Sequence, residues 1–301
     1  MRCSTTHEEV RHAPVDVSTR TLTRAARGDG YAVPAVNVFD EISMRAVIAA
    51  AERTSAPLIV QISTKTVRTA GCSFITALFA ALSRDATVPI ALHLDHCPDR
   101  AVIDEVVAAG WSSVLFDASD RGFDDAVRET EEVVEQAHAA GVDVESEIEN
   151  ILGVEDGVGS DDAQHAYSVE QLAEVGERTG ADLLAPQLGT SHGLYKADPE
   201  ILPERAAALA ALTDRPIVLH GGTGLAEADF RAFIDAGVSK INISTAVKHA
   251  YMQASLAHLE RARDSDSWDP PKLIVDISAA VTDTIAEHIA WFGAEGRASA
   301  R

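Results

Sequence analysis

Three short segments hold the residues best suited to chemistry. They are Leu-His-Leu-Asp-His at 92–96, Ser-His-Gly-Leu-Tyr-Lys at 191–196 and Leu-His-Gly-Gly-Thr-Gly at 219–224. Each places a histidine where an apolar run ends, as a buried strand would end. Neutral imidazoles bind zinc well, and three of them leave a coordination position open for a substrate. His96, His192 and His220 are therefore the candidate metal ligands. His93, two residues before Asp95, is expected to be a hydrogen-bonded core residue, and Cys97 a small buried one.

Carboxylates accompany the histidines. Asp95 adjoins His96, and Asp117 ends the run Phe-Asp-Ala-Ser. Glu145 and Glu147 lie two apart in Val-Glu-Ser-Glu-Ile, so strand alternation puts both on one face. Acidic groups turned into a barrel mouth are costly unless they bind a cation or move protons. Glu155 lies in a polar stretch, in Gly-Val-Glu-Asp-Gly; alone it reads as a solvated charge.

Glycines and hydroxyls follow two of the histidines. Gly193 and Lys196 come after His192; Gly221, Gly222 and Thr223 come after His220; and Asn242-Ile243-Ser244-Thr245 ends a further strand. Such segments bring backbone N–H groups and hydroxyls close to an anion, and the loops after strands seven and eight of a barrel commonly hold phosphate.

To bring these segments together the chain must form a closed, repeating frame. Apolar runs predict strands at 32–38, 58–62, 90–94, 113–116, 142–148, 183–186, 217–219 and 241–243, with helices such as 42–54, 101–109, 124–140, 169–179 and 227–236 between them. Several helices run into a glycine, as at Gly110, Gly141, Gly180 and Gly237. Eight strands alternating with helices imply a single (β/α)8 TIM barrel with a C-terminal helical extension. Residues 1–17 read as a loose polar tail and 18–301 as one barrel domain. Residues 149–167 form a long loop on the catalytic face that reads as a lid. Residues 264–272 read as irregular, with a last helix near 276–292.

Composition narrows the functions. The 301 residues carry a formal charge of −22, which argues against nucleic acid. No run approaches a membrane span, the first residues lack a signal peptide, and three unpaired cysteines suit a reducing compartment. A cytoplasmic enzyme acting on a small molecule is expected.

The order of these motifs from about Tyr31 to Val247, beginning with Val-Pro-Ala-Val-Asn at 33–37, resembles the class II, metal-dependent ketose-bisphosphate aldolases, which include fructose- and tagatose-bisphosphate enzymes. The resemblance implies that His96, His192 and His220 hold a catalytic zinc. Asp117 and Glu147 would serve a second or alternate metal position. Gly193, Lys196, Gly221 to Thr223 and Asn242, Ile243, Ser244 and Thr245 would hold dihydroxyacetone phosphate, with a monovalent cation as a further ligand. Asn37 and Ser63 would line the sugar. Asp95 would take the hydroxyl proton and Glu155 would move the proton on the donor carbon. A homodimer or homotetramer is implied. The default substrate is fructose 1,6-bisphosphate, cleaved to dihydroxyacetone phosphate and glyceraldehyde 3-phosphate in glycolysis.

The chemistry fits these residues. Carbon–carbon cleavage beside a ketone leaves a carbanion that a Lewis acid stabilises, and two carboxylates on separate elements manage the protons. None of the five lysines is placed at a strand end as a Schiff-base nucleophile. The sequence departs from the family at Glu149, where a glycine is usual, and at Leu152-Gly153, where a Gly-Gly pair is usual. Pro271 or Thr282 stands where many members carry an arginine for the far phosphate. Asp120, Asp124 and Asp125 lie near the expected acceptor, with no assigned cation. A different, non-phosphorylated acceptor is therefore an alternative. A barrel that binds metal and sugar phosphate without turnover is a further one, against which the intact Asp95 and Glu155 count.

Overall fold

The computed structural model describes residues 17–155, 158–160, 165–193 and 199–298, except the side chains of 154–155 and 158–160. Most of the expected N-terminal tail lies outside them. Ten strands appear among the described residues, and eight close into a parallel barrel: β1 (Val33–Asn37), β2 (Leu58–Ser63), β3 (Ile90–Cys97), β4 (Ser113–Asp117), β5 (Asp143–Glu147), β8 (Leu183–Leu184), β9 (Ile217–Leu219) and β10 (Val238–Ile243). Closure is made by β1 on β10, with Val33 opposite Lys240 and Ala35 opposite Asn242. Every residue of these eight strands is buried, because helices cover the outside and side chains fill the inside. The remaining two strands, β6 (Gly153–Glu155) and β7 (Val158–Ser160), form a hairpin in the long loop after β5.

Helix boundaries follow local chemistry. Helix α1 (Thr19–Asp29) is capped by Ser18 and precedes β1. It closes the N-terminal end of the barrel: Ser18 Oγ donates to Asp143 at 2.8 Å, and Thr19 and Ser113 hydroxyls lie 2.6 Å apart. Helix α2 (Glu41–Thr54) starts in a capping box at Asp40, as α7 (Val169–Thr179) does at Ser168. The chain also forms α3 (Thr64–Ala70), α4 (Cys72–Ser83), α5 (Arg100–Ala108), α6 (Phe123–Ala139), α8 (Pro203–Ala210) and α9 (Glu227–Asp235).

Two long helices end the chain, α10 (Thr245–Ser265) and α11 (Pro270–Trp291). The second corrects the expected start near 276 and the irregular stretch 264–272. Two prolines usually break helices, but at the first turn a missing N–H costs nothing, and the Asp269 side chain accepts from Lys272 N there. Helix α11 packs across α2 and α10. Among the described residues no single helix is long and apolar enough to cross a membrane.

Candidate active site

The end of β3, the loop after β8 and the residue following β9 converge at the C-terminal mouth of the barrel; His192 stands eight residues past β8, not at a strand end as the sequence suggested. They bring His96, His192 and His220 together, with one ligand atom from each within 4.8 Å of the others. His220 Nδ1 lies 3.0 Å from His96 Nε2. Simple alternation would send Asp95 and His96 to opposite faces. Instead the β3–β4 register slips between Leu94 and Cys97, and His96 takes a left-handed φ of 41°. That conformation costs a non-glycine residue about 1–2 kcal/mol. It lets both side chains join the mouth: Asp95 meets Asn37 and Asn242, and His96 meets His220.

Asp117 and Glu147, opposite one another on β4 and β5, make a second grouping with His96, again within 4.8 Å. Glu147 Oε2 lies 3.3 Å from His96 Nδ1, and Asp117 Oδ2 lies 3.9 Å from it. His96 thus turns one ring nitrogen to the histidines and the other to the carboxylates. Burial works against a charged His96, but Glu147, Asp95 and Asp117 together raise its pKa well above the ordinary value. Burial, and then the charge of His96, hold His192 and His220 well below it, in the neutral form that ligates metal. Burial pushes Glu147 well up, and Asp117, Glu145 and Asp95 add to this while His96 opposes it. Among the described residues, buried Glu147 Oε2 has no hydrogen-bond partner. Four buried carboxylates beside three imidazoles, with that oxygen unbonded, fit a divalent cation.

Asp95 is held from two sides. The Asn37 amide donates to it at 2.7 Å, and Asn242 Nδ2 lies 3.5 Å away. Burial opposes its charge, but His96, His220, Lys240 and Asn37 hold its carboxyl below the usual range. Three residues here escaped the assignment of roles from sequence. Gln61, fully buried, donates to Asn37 Oδ1 at 2.8 Å. Glu145 accepts from His220 Nε2 at 2.9 Å. Lys240, fully buried in β10, pairs with Glu145 at 2.8 Å. The available signal was a charged or amide residue inside an apolar run, with Lys240 two before Asn242 and so on its face. His93 meets Ser113 at 2.7 Å and belongs to neither grouping, and Cys97 is buried, its Sγ donating to Asp99 O.

The segments expected from sequence to bind an anion adjoin this centre. Helix α10 starts directly after Ser244, whose side chain makes no cap, leaving Ser244 Oγ buried and, among the described residues, without a hydrogen-bond partner. Thr223 Oγ1 accepts from Ala246 N at 3.2 Å, tying the Gly221–Thr223 turn to that helix start. A Cβ on Gly221, at φ 67°, would strike Ser191 O at 2.5 Å, so only glycine lets the loops after β8 and β9 touch. Gly193 borders open space and Asn242 is buried. The Ile243 side chain is core, which leaves only its backbone for a ligand. Ser63 caps α3 and shares a 3.1 Å contact with Thr66.

The hairpin of the long loop reaches the same centre. His192 N donates to Leu152 O at 2.7 Å, and Gly153 lies so close to His192 that a Cβ would meet its carbonyl at 2.7 Å. Glu155 is two residues further along β6. Its side chain, like Lys196, lies outside the described residues. Glu149, the departure from the family pattern, is a fastener. Its carboxylate accepts from Tyr167 N at 2.7 Å, Gln187 N at 2.9 Å and Arg205 Nη2 at 2.7 Å, which pins the loop base to α8.

The aspartates read from sequence as lying near the acceptor are engaged locally. Asp120 pairs with Arg121 and Asp125 with Arg128. Asp124 and Asp125 lie in the first turn of α6, where negative charge suits the helix dipole. A cleft of about 390 Å³ opens beyond Ser63, lined by Phe39, Lys65, Thr66, Lys248, Tyr251 and Met252. Lys65 and Lys248, 183 residues apart in sequence, line this one cleft through barrel closure. Thr282 donates to Ala46 O at 3.0 Å, and Pro271 is the second residue of α11.

Comparison with known proteins agrees with this geometry. The family model "Fructose-bisphosphate aldolase class-II" matches residues 17–297. A sulfofructosephosphate aldolase from Alkalicoccus urumqiensis is 32% identical over 287 residues, covering 94% of this chain and 98% of its own. The YdjI aldolase of Escherichia coli K12 superposes with a TM-score of 0.80 at 28% identity, covering 94% of this chain and 99% of its own. A fructose-bisphosphate aldolase from Campylobacter jejuni shares the fold, with a TM-score of 0.80 at 22% identity over 93% and 96% of the two chains.

Proposed function

The chain belongs to the class II fructose-bisphosphate aldolases, a family of carbon–carbon lyases, and from that premise we propose that it reversibly cleaves a ketose phosphate to dihydroxyacetone phosphate and an aldehyde that ends in an anion. The convergence of His96, His192 and His220 beside the uncapped start of α10 carries this reading. These histidines would hold zinc, which when bound would supply Lewis-acid chemistry for a ketose carbonyl. The donor phosphate sits at the N-terminus of α10, where backbone N–H groups and the dipole favour an anion and Ser244 Oγ offers an unused donor. Lys196 and Gly193 complete that side. Asp95, held ionised and oriented by Asn37 and Asn242, takes the hydroxyl proton as the bond breaks. Glu155 returns a proton to the donor carbon from the hairpin beside His192. Asn37 and Ser63 line the sugar between the two ends. Asp117 and Glu147, with His96, form an alternate metal position.

Lys65 and Lys248 support an anionic acceptor. Phosphate, as on fructose 1,6-bisphosphate, is the default; the relative named for sulfofructosephosphate makes sulfonate the second reading. An apolar stripe of Met252, Leu256 and Leu259 on the outer face of α10, with Ile274 and Val275 on α11, supports a homo-oligomer. The free buried Cys72 and Cys97 suit a reducing cytoplasm.

The test is a zinc-replete cleavage screen over fructose 1,6-bisphosphate, tagatose 1,6-bisphosphate, fructose 1-phosphate and 6-deoxy-6-sulfofructose 1-phosphate, reading dihydroxyacetone phosphate release. A substrate with an anion at both ends should lead. Equal kcat/KM for fructose 1-phosphate would remove the anionic acceptor, and no release from any of them would remove the donor assignment.

A further inference from the structure

A charged lysine sealed inside a barrel needs a reason, since an ammonium taken out of water is costly unless fully paired. Lys240 is 0% exposed in the middle of β10. Its Nζ forms an ion pair with Glu145 Oε2 at 2.8 Å and donates to Asn242 Oδ1 at 2.9 Å. Glu145 belongs to β5, separated from β10 by β9 and β8, so the ion pair crosses the barrel interior.

Each acceptor leads to a different part of the centre. The second oxygen of Glu145 accepts from His220 Nε2 at 2.9 Å. That bond fixes the proton on Nε2 and leaves Nδ1 facing His96 at 3.0 Å, as a ligand nitrogen must. Asn242 presents its oxygen to Lys240, so its amide nitrogen points the other way, toward Asp95 Oδ1 at 3.5 Å and the His220 ring. A reversed amide would set its oxygen against the Asp95 carboxylate and its N–H groups against an ammonium. One cation thus decides the orientation of two neighbours.

We propose that Lys240 is the positioning residue of this site: through Glu145 it sets the ring of metal ligand His220, and through Asn242 it sets the carboxylate Asp95. The inference rests on the metal and proton roles given above. It accounts for a buried ion pair that the family's cleavage chemistry does not otherwise use.

Removal of one partner of a buried pair leaves the other uncompensated, so a loss on Lys240→Met alone would not separate positioning from stability. The test uses three full-length proteins: wild type, Lys240→Met, and Lys240→Met/Glu145→Leu. Thermal unfolding reports stability, and zinc affinity is read by competition with a chelating dye in the absence of substrate. The double variant should recover most of the stability lost in the single one. Both variants should bind zinc about 10–100-fold more weakly than wild type, the usual effect of losing the group that orients a metal-bound histidine. At saturating zinc, kcat should stay reduced in both while KM for the ketose phosphate moves little. Wild-type zinc affinity and kcat in the double variant would overturn the inference and reduce the pair to a structural role. Failure of the wild type to bind zinc would instead overturn the metal assignment.

Discussion

The histidine centre and the Lys65–Lys248 cleft open on the same face of the barrel but are built differently. In the centre the named side chains are buried or nearly so, and most are held by a neighbour: Asp95 by Asn37 and Asn242, His220 by Glu145, Asn37 by Gln61. The cleft is lined by apolar surface and by lysines on the outer turns of α3 and α10, with Lys65 exposed. Burial makes each group in the centre dependent on the next, because an unpaired one is costly. The cleft has fewer such links, with Tyr251 donating to Asp40 at 2.8 Å and Thr66 meeting Ser63 at 3.1 Å. On the proposed function, bond cleavage would depend on an interlocked network and acceptor choice on a few replaceable side chains.

The sharpest break with this contrast would come from His220. His220→Ala should lower turnover by ~10⁴-fold, about 5–6 kcal/mol, by removing a metal ligand. Chelation of the wild type should do the same and added zinc should reverse it. Retained activity in the metal-free variant would dissolve the distinction between the two regions. Next, Glu155→Gln should lower kcat by ~10²–10⁴-fold with little change in substrate binding, measured by single-turnover kinetics. Glu149 cannot replace it, since its carboxylate is engaged by Tyr167, Gln187 and Arg205.

The cleft should respond more mildly and more selectively. Lys65→Ala and Lys248→Ala should each lower kcat/KM for a doubly anionic substrate by about 10-fold, as expected for one charge-assisted contact near solvent, and leave fructose 1-phosphate within about 2-fold. Equal losses on both substrates would place these lysines in the shared chemistry.

The smallest effect is on stability. Burial, with Lys240 next, holds His93 well below the ordinary histidine pKa, so the folded protein keeps it neutral. Below about pH 6.5 the unfolded chain protonates it and the folded chain does not. Stability from His93 is therefore present above that pH and is lost as pH falls. Comparing Tm between pH 7 and pH 5, His93→Gln should flatten the slope by up to about 1.4 kcal/mol per pH unit. An unchanged slope would show that His93 titrates alike in both states.

The alternation of apolar runs and amphipathic stretches by itself determined the eight-stranded barrel, since period and run length follow directly from which faces must be dry. The convergence of His96, His220, Asp117 and Glu147 was legible for a related reason: polar residues at the ends of buried strands have nowhere to go but the mouth, whereas His192 joins them from the loop after β8. Tertiary structure alone decided the rest. Asp95 and His96 share the mouth only because a register slip and a left-handed residue defeat alternation, and neither is written in the local pattern. Glu149 read as a departure from the family until Arg205, 56 residues away, supplied its partner. Lys65 met Lys248 only when β1, between β2 and β10, closed the ring. Lys240 read as one more strand residue until β5 placed Glu145 across the interior from it. In each case the deciding contact joins residues far apart in the chain, and their energies become coupled only once folding removes the water between them.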